Sequence, residues 1–351
     1  MNLLRMSKKT IGGLKRVLIW SVVILFSIEA VSFIILHGAH VVVYGRLRDY
    51  NYVFYDPYTV FQSRGGLRNT INPGPGPVQK KQTHVWLFGG STMHGYTKHD
   101  ERTIPSYLSA QLNSRTNGTH YVLKNFGEPA FNSLLEVKYF QKAMIEEEPK
   151  PDLVIFYDGA NDSIFLSQYR EPNGHYGMRR MKALIENYRD SFLGLLKPIN
   201  AYYRSSFTKE LWDKINQVLV PIRPDDTLLG DYLSELKMRY GYLARTCHAH
   251  NIDFVVVWQP IKWSQQCNKE HRVKDSVLED IGKFTAMSHN YSLIYDRVTA
   301  DLAPLPYFHD LSQAGCDGPD EFYQADGVHL TDEGRAAMAD HLETKLKDYF
   351  Y

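Results

Sequence analysis

The stretch His84–Gly95, HVWLFGGSTMHG, decides how the rest of the chain is read. Val85–Phe88 is an unbroken apolar run that stops at Gly89 and Gly90. A short apolar run closed by a turn signal reads as a strand buried on both faces, and the paired glycines free the backbone to turn without a Cβ clash. Ser91 then stands at the carboxyl end of a buried strand, ahead of a helix. Open α/β sheets place ligands and nucleophiles there. A serine in that position would also serve as a helix N-cap, so the surrounding chain has to choose between cap and nucleophile.

Outward from this stretch, apolar runs at Val85–Phe88, Tyr121–Phe126, Leu153–Tyr157, Phe254–Trp258 and Leu293–Tyr295 read as strands. Helical patterns fall at Ile104–Asn113, Ser133–Glu147, Leu228–His250, Val273–Ser288 and Asp332–Tyr349. Strand and helix alternating in this way predict a parallel sheet with helices on both faces. One interval breaks the rhythm: residues 164–226, rich in Tyr, Arg, Pro and Trp, exceed what a crossover needs. They are expected to form an insertion over the carboxyl ends of the strands, as a lid or substrate wall.

The amino-terminal region has a different character. Residues 1–16 carry Arg5, Lys8, Lys9, Lys15 and Arg16 without an acid, and residues 17–36 are twenty mostly apolar positions. Twenty helical residues span about 30 Å, the thickness of a bilayer core. The basic cluster ahead of the span keeps the amino terminus cytoplasmic and sends the remainder across the membrane. A signal peptide would be cut near Ala30–Ser32, but the apolar run continues past that site, so a retained anchor is expected. Glu29 inside the span has no explanation in the sequence. Residues 37–82 read as a juxtamembrane connector ending in the Pro/Gly run Asn72–Pro77, and residues 83–351 as the catalytic domain.

Forty basic residues against thirty-nine acidic ones leave a formal charge of +1, which offers no basic face to nucleic acid. Three cysteines are too few for a disulfide scaffold and match no zinc spacing. Cys267 and Cys316 fall in late segments that should meet near the site, and an extracytoplasmic location would let them pair. Cys247 would then be a free, buried thiol. His94 and His99 lack a third ligand at metal spacing and read as surface histidines, so no metal is expected.

Three later stretches carry chemistry. Gly127 follows the second strand, where a glycine lets backbone N–H approach a ligand. Asn161 follows the third strand and offers an NH₂ donor for developing negative charge. Asp326-Gly327-Val328-His329 precedes a final helix capped by Thr331; a carboxylate three residues before a histidine can bond one ring nitrogen and leave the other as a base. Ser91 as nucleophile, His329 as base, Asp326 as orienting acid, and Ser91 N–H, Gly127 N–H and the Asn161 amide as oxyanion hole make a complete acyl-transfer set. Asp158 and Asp162 flank Asn161 and read as turn caps. Asn161 also opens the sequon Asn-Asp-Ser, which favours a periplasm over a glycosylating pathway.

These four blocks, in this order and at strand ends, resemble the SGNH hydrolase superfamily, the GDSL esterases and lipases. Ser91, Gly127, Asn161 and His329 fall on the four letters of that name, and Asp326 on its DxxH acid. The resemblance implies a three-layer α/β/α sandwich around a five-stranded parallel sheet in the order 2-1-3-4-5, flavodoxin-like, and ester hydrolysis with no cofactor. The chain departs from the pattern at Gly90, where the family has aspartate, and at Ala130, where a second glycine is frequent. The expectation is a single-pass membrane esterase facing the periplasm or exterior that removes acyl groups such as acetyl from a carbohydrate or cell-envelope ester. A lipase or lysophospholipase, a glycan O-acyltransferase using the same acyl-enzyme, and a non-catalytic glycan-binding protein are the alternatives.

Overall fold

A computed structural model describes residues 8–44, 47, 53–74, 81–115, 118–179, 181–182, 185, 203, 206–216, 220–265, 267, 283–319, 321–324 and 326–351. They divide into two compact units, residues 1–49 with 177–218, and residues 50–176 with 219–351.

The second unit holds a hairpin, β1 (Val53–Asp56) and β2 (Val60–Ser63), and then a parallel sheet. The sheet strands are β3 (Lys81–Gly89), β4 (Thr119–Gly127), β5 (Leu153–Asp158), β6 (Asp253–Trp258) and β7 (Phe308–Asp310), ordered β4-β3-β5-β6-β7. The order is the 2-1-3-4-5 arrangement expected. The chain leaves β3 to one side for β4 and returns past it for β5, so the switch point of the sheet lies at the carboxyl end of β3, where Ser91 follows.

Strand periodicity divides the core between two layers of helix. Val85 and Leu87 point to a layer with Leu108 and Leu112 of helix Ile104–Ser114 and Met338 and Leu342 of helix Asp332–Lys345. Trp86 and Phe88 point to the other, with Phe140 of helix Ser133–Glu146, Leu236 and Tyr240 of helix Thr227–Ala249, and Ile294 and Val298 of helix Lys283–Leu302. Phe88 stacks between Phe126 and Phe156 at centroid distances of 4.8 and 5.0 Å, a ladder across three strands. Truncating so fully buried a ring costs about 3–5 kcal/mol.

The fifth strand is not where the sequence pattern put it. Leu293–Tyr295 lies inside helix Lys283–Leu302, where Tyr291, Ile294, Tyr295, Val298 and Leu302 are buried at helical spacing. The strand is instead Phe308–Asp310, a three-residue edge piece paired with Val256–Trp258. Most of the helix expected at Val273–Ser288 lies outside the described residues, as do 25 of the 63 residues of the insertion expected at residues 164–226. Its first residues, Ile164–Tyr169, belong to helix Ala160–Tyr169 of the sheet layers.

The segment read as a connector is structured where it is described. Asp56 pairs with Lys142 at 2.6 Å, and Ser63 N–H donates to Glu128 at 3.2 Å. Arg68 bridges to Asn125, and the Asn72 amide bonds both the carbonyl and the N–H of Leu123 at 3.0 and 2.9 Å. Together they cover the outer edge of β4, the kind of edge that otherwise invites another strand.

The first unit contains the helix Lys8–Tyr44, of which Gly12–Val42 is long and apolar enough to cross a membrane. Its side chains are mostly exposed, and the less exposed positions Glu29, Ser32, Leu36, His37 and His40 recur on one face. Helix Phe207–Ile215, capped by Ser206, packs there.

Candidate active site

The ends of β4, β3 and β5 lie level, with Gly89 paired to both Gly127 and Tyr157. The chain turns at Gly90 into the one-turn helix Ser91–His94, placing Ser91 at its first position. A backbone N–H there has no intrahelical acceptor. The short helix is tied down from three sides. Asn125 donates to Met93 O at 2.9 Å, the His94 Nδ1–H donates to Gly127 O at 3.0 Å, and Thr92 Oγ1 donates to the buried Gln259 at 2.6 Å.

His329 reaches Ser91 from a turn ahead of helix Asp332–Lys345, whose N-cap Thr331 accepts from Gly334 N–H at 3.0 Å. Its Nε2 is 2.8 Å from Ser91 Oγ, and its Nδ1 is 2.5 Å from Asp326 Oδ2. The other oxygen of Asp326 accepts from the N–H groups of Val328 and His329 at 3.0 and 2.9 Å, which folds the turn around the carboxylate. Gly327 stands at φ +67°, and a Cβ there would lie 2.8 Å from Trp263 Nε1, so this turn needs a glycine. Burial pushes the Asp326 carboxyl up, but the His329 charge and the hydrogen bonds from His329 and Val328 outweigh it and hold the group below the ordinary carboxylate range. Asp326 therefore stays ionised and accepts the Nδ1 proton, leaving Nε2 to accept from Ser91.

Asn161, in the first turn of helix Ala160–Tyr169, donates one amide hydrogen to Phe131 O at 2.6 Å and retains a second. A Cβ built on Gly90 would be driven into Asn161 Nδ2 and would sit 3.1 Å from Phe131 O. In this chain the asparagine amide thus fills the space into which a side chain at position 90 would project. Gly127 ends β4 with its N–H donated to Asn125 Oδ1 at 2.9 Å, and a Cβ there would meet Met93 C at 2.7 Å. This engagement was not legible in the sequence.

Behind Asn161 lies a buried acid group. Asp162 accepts from Ser133 N–H at 3.1 Å and from its hydroxyl, so it caps a neighbouring helix rather than its own turn. Arg239 Nη1 stands 3.8 Å from it. Asp158 accepts from Tyr240 OH at 2.7 Å, and burial raises its carboxyl to about 6. Burial, with Asp158 beside it, raises the Glu136 carboxyl well above the ordinary carboxylate range.

Two side chains at the site escaped sequence reading. The Tyr96 ring lies over His329, centroids 4.4 Å apart and planes tilted by 30°, and Gln259 supports the nucleophile helix through Thr92. Neither belongs to a motif. His94 is half-buried against Gly127 instead of lying on the surface, whereas His99 is exposed beside Glu101. Cys267 and Cys316 form a disulfide with Cα atoms 5.3 Å apart, and Cys247 is buried and free, its thiol pushed up to about 12 by burial.

Among solved structures, TesA is 14% identical over 76% of this chain and 99% of its own, with a TM-score of 0.39. The psychrotrophic esterase EstA from Pseudoalteromonas sp. is 10% identical over 76% and 98%, with a TM-score of 0.36. An acetyl xylan esterase, AlAXEase, is 12% identical over 74% and 98%, with a TM-score of 0.38. A search of curated proteins returns no match. The profile described as GDSL-like Lipase/Acylhydrolase matches residues 85–342, from the middle of β3 into helix Asp332–Lys345. The chain belongs to this family of ester-hydrolysing serine enzymes.

Proposed function

We propose that Ser91, His329 and Asp326 hydrolyse an ester through an acyl-enzyme, and that the protein does so outside the cytoplasm while anchored by its amino-terminal helix. The observation that carries the catalytic half is the continuous line of hydrogen bonds from Ser91 Oγ through His329 to Asp326, at 2.8 and 2.5 Å. Ser91 Oγ attacks the ester carbonyl carbon and its proton passes to His329 Nε2. The tetrahedral oxyanion accepts from Ser91 N–H and from the second amide hydrogen of Asn161. Gly127 N–H contributes by sharing its hydrogen with Asn125 Oδ1. As the C–O bond to the alcohol breaks, His329 returns the proton to the leaving oxygen. Water then attacks the acyl-enzyme with His329 again as base, releasing the acid and restoring Ser91. Asp326 remains a carboxylate throughout and stabilises the imidazolium, with the Tyr96 ring packed against the same ring.

The location rests on the basic residues ahead of the apolar helix and on the Cys267–Cys316 disulfide, which persists in oxidising compartments. That location and the family analogy support an acylated carbohydrate or other cell-envelope ester as the substrate class, with acetyl the acyl group to test first. The test is turnover of a short-chain and a long-chain p-nitrophenyl ester by the full-length protein in detergent, beside Ser91→Ala. Loss of short-ester turnover in the variant supports the proposal. Preference for the long ester would reassign the substrate to lipid, and a wild-type serine that neither turns over ester nor reacts with a fluorophosphonate would remove the catalytic reading.

A further inference from the structure

We infer that helix Phe207–Ile215 is a second membrane-contacting element, seated among the acyl chains beside the anchor helix and held at that depth by Glu29. The inference rests on the reading that Lys8–Tyr44 spans a membrane, and it begins from the one residue that reading leaves unexplained.

Glu29 is the sole acidic or basic side chain, histidines aside, between Val17 and Val42. It stands twelve residues past Val17, and at ~1.5 Å per residue this puts it ~18 Å into a hydrocarbon core ~30 Å thick. A carboxylate at that depth is costly without partners. Its partners are the first residues of the other helix. Glu29 accepts from Phe207 N–H at 2.6 Å, Thr208 N–H at 3.0 Å and Thr208 Oγ1 at 2.7 Å. The backbone groups among them are the donors that a helix start leaves without acceptors, and the positive end of the helix dipole faces the carboxylate. Each partner supplies what the other lacks where water is excluded. Phe207 packs edge-on against Phe33 at 5.0 Å, and Ser32 Oγ lies 3.4 Å from Thr208 Oγ1.

Those bonds fix the start of helix Phe207–Ile215 at the depth of Glu29. Its composition suits that place. Lys209 pairs with Asp213, and Lys214 with Glu210 at 3.6 Å, so its four charges cancel within the helix. Phe207, Leu211 and Ile215 recur every fourth residue, and Trp212 and Ile215 are 64% and 62% exposed. In water such side chains would be misplaced; beside acyl chains they meet a matching solvent. The occupant of this face is therefore the lipid in which the anchor sits.

The test uses full-length protein carrying Cys247→Ala, which leaves the paired cysteines as the only others. Single substitutions Trp212→Cys, Val23→Cys and Met238→Cys are labelled with an environment-sensitive fluorophore and reconstituted in phosphatidylcholine nanodiscs. Nitroxides on the lipid acyl chains should quench the labels at 212 and 23 severalfold more than the label at 238, and aqueous iodide should do the reverse. Adding Glu29→Ala should move the 212 label towards iodide while the 23 label stays in lipid. A 212 label quenched like the 238 label, with the 23 label in lipid, would overturn this inference alone. A 212 label reached by neither quencher would mean that protein covers the face, and would overturn it too. A 23 label open to iodide would overturn the anchor reading and this inference with it. Ester turnover by each labelled protein reports that the hydrolase unit is folded.

Discussion

Gly90 offers a direct test of how the oxyanion site is built, because restoring a side chain there should damage the enzyme. A Cβ on Gly90 falls closer to Asn161 Nδ2 than the 3.0 Å below which real Cβ atoms are essentially never found, and Phe131 O stands 3.1 Å away on the same side. The amide must retreat by about half an ångström or more, and its bond to Phe131 O at 2.6 Å resists the move. Oxyanion donors act only when aimed at the developing charge, and losing one costs about 10²–10³ in kcat, or about 2.7–4 kcal/mol of transition-state stabilisation. Gly90→Ala should therefore lower kcat for a short p-nitrophenyl ester by about 10²-fold with little change in KM, and Gly90→Asp by at least as much. Thermal unfolding of each variant separates this from misfolding. In an Asn161→Ala background the same change should cost almost nothing more, since the donor it displaces is already gone. A Gly90→Ala enzyme within about threefold of wild type, or a full additional loss on top of Asn161→Ala, would refute this account of the site.

Other outcomes follow from the same geometry. Asp326→Asn should cost about 10²–10⁴ in kcat, approaching the loss from His329→Ala; a far smaller loss would mean that His329 works with Ser91 alone. Glu128 is buried, and burial raises its carboxyl from 4.5 to about 7 despite the hydrogen bonds from Ser63. The folded protein thus keeps a proton that the unfolded chain has lost, so stability falls as pH rises between those values, by about 3 kcal/mol in total. Glu128→Gln should flatten that decline, read as urea midpoints at about pH 5 and about pH 8, and an unchanged slope would count against it. Cys316→Ser opens a closure of 49 residues and should destabilise the second unit by up to about 4 kcal/mol on the chain-entropy account, measured in oxidising buffer.

What could be read from the residues was what local rules encode. β3, β4, β5 and β6 are apolar runs largely buried on both faces, whereas their order in the sheet was implied only by the family resemblance. β7 was misplaced because a three-residue edge strand with one apolar side chain owes its identity to pairing with β6, which no local pattern shows. Leu293–Tyr295 looked like a strand because three apolar neighbours carry no period until Tyr291, Val298 and Leu302 are counted with them. At the site, Ser91, Asn161, Asp326 and His329 stood out through their turns. Asn125 did not, although it accepts from Gly127 and donates to Met93. Tyr96, Gln259 and the partners of Glu29 matter through contacts that only the folded chain creates.

The cover that Arg68 and Asn72 lay along β4 determines where this enzyme can be cut free of its proposed anchor. A soluble fragment starting at Lys81 would contain every residue of the proposed triad, yet the backbone groups of Leu123 would have lost the Asn72 amide, and Ser109 Oγ its acceptor there at 2.7 Å. The bare margin of the sheet would then be a template for a strand from another molecule. Release ahead of Val53 keeps the margin closed and should yield a monomer, whereas release after Gly74 should yield chains that join edge to edge. The useful boundary of the enzyme therefore lies some thirty residues before its first catalytic motif.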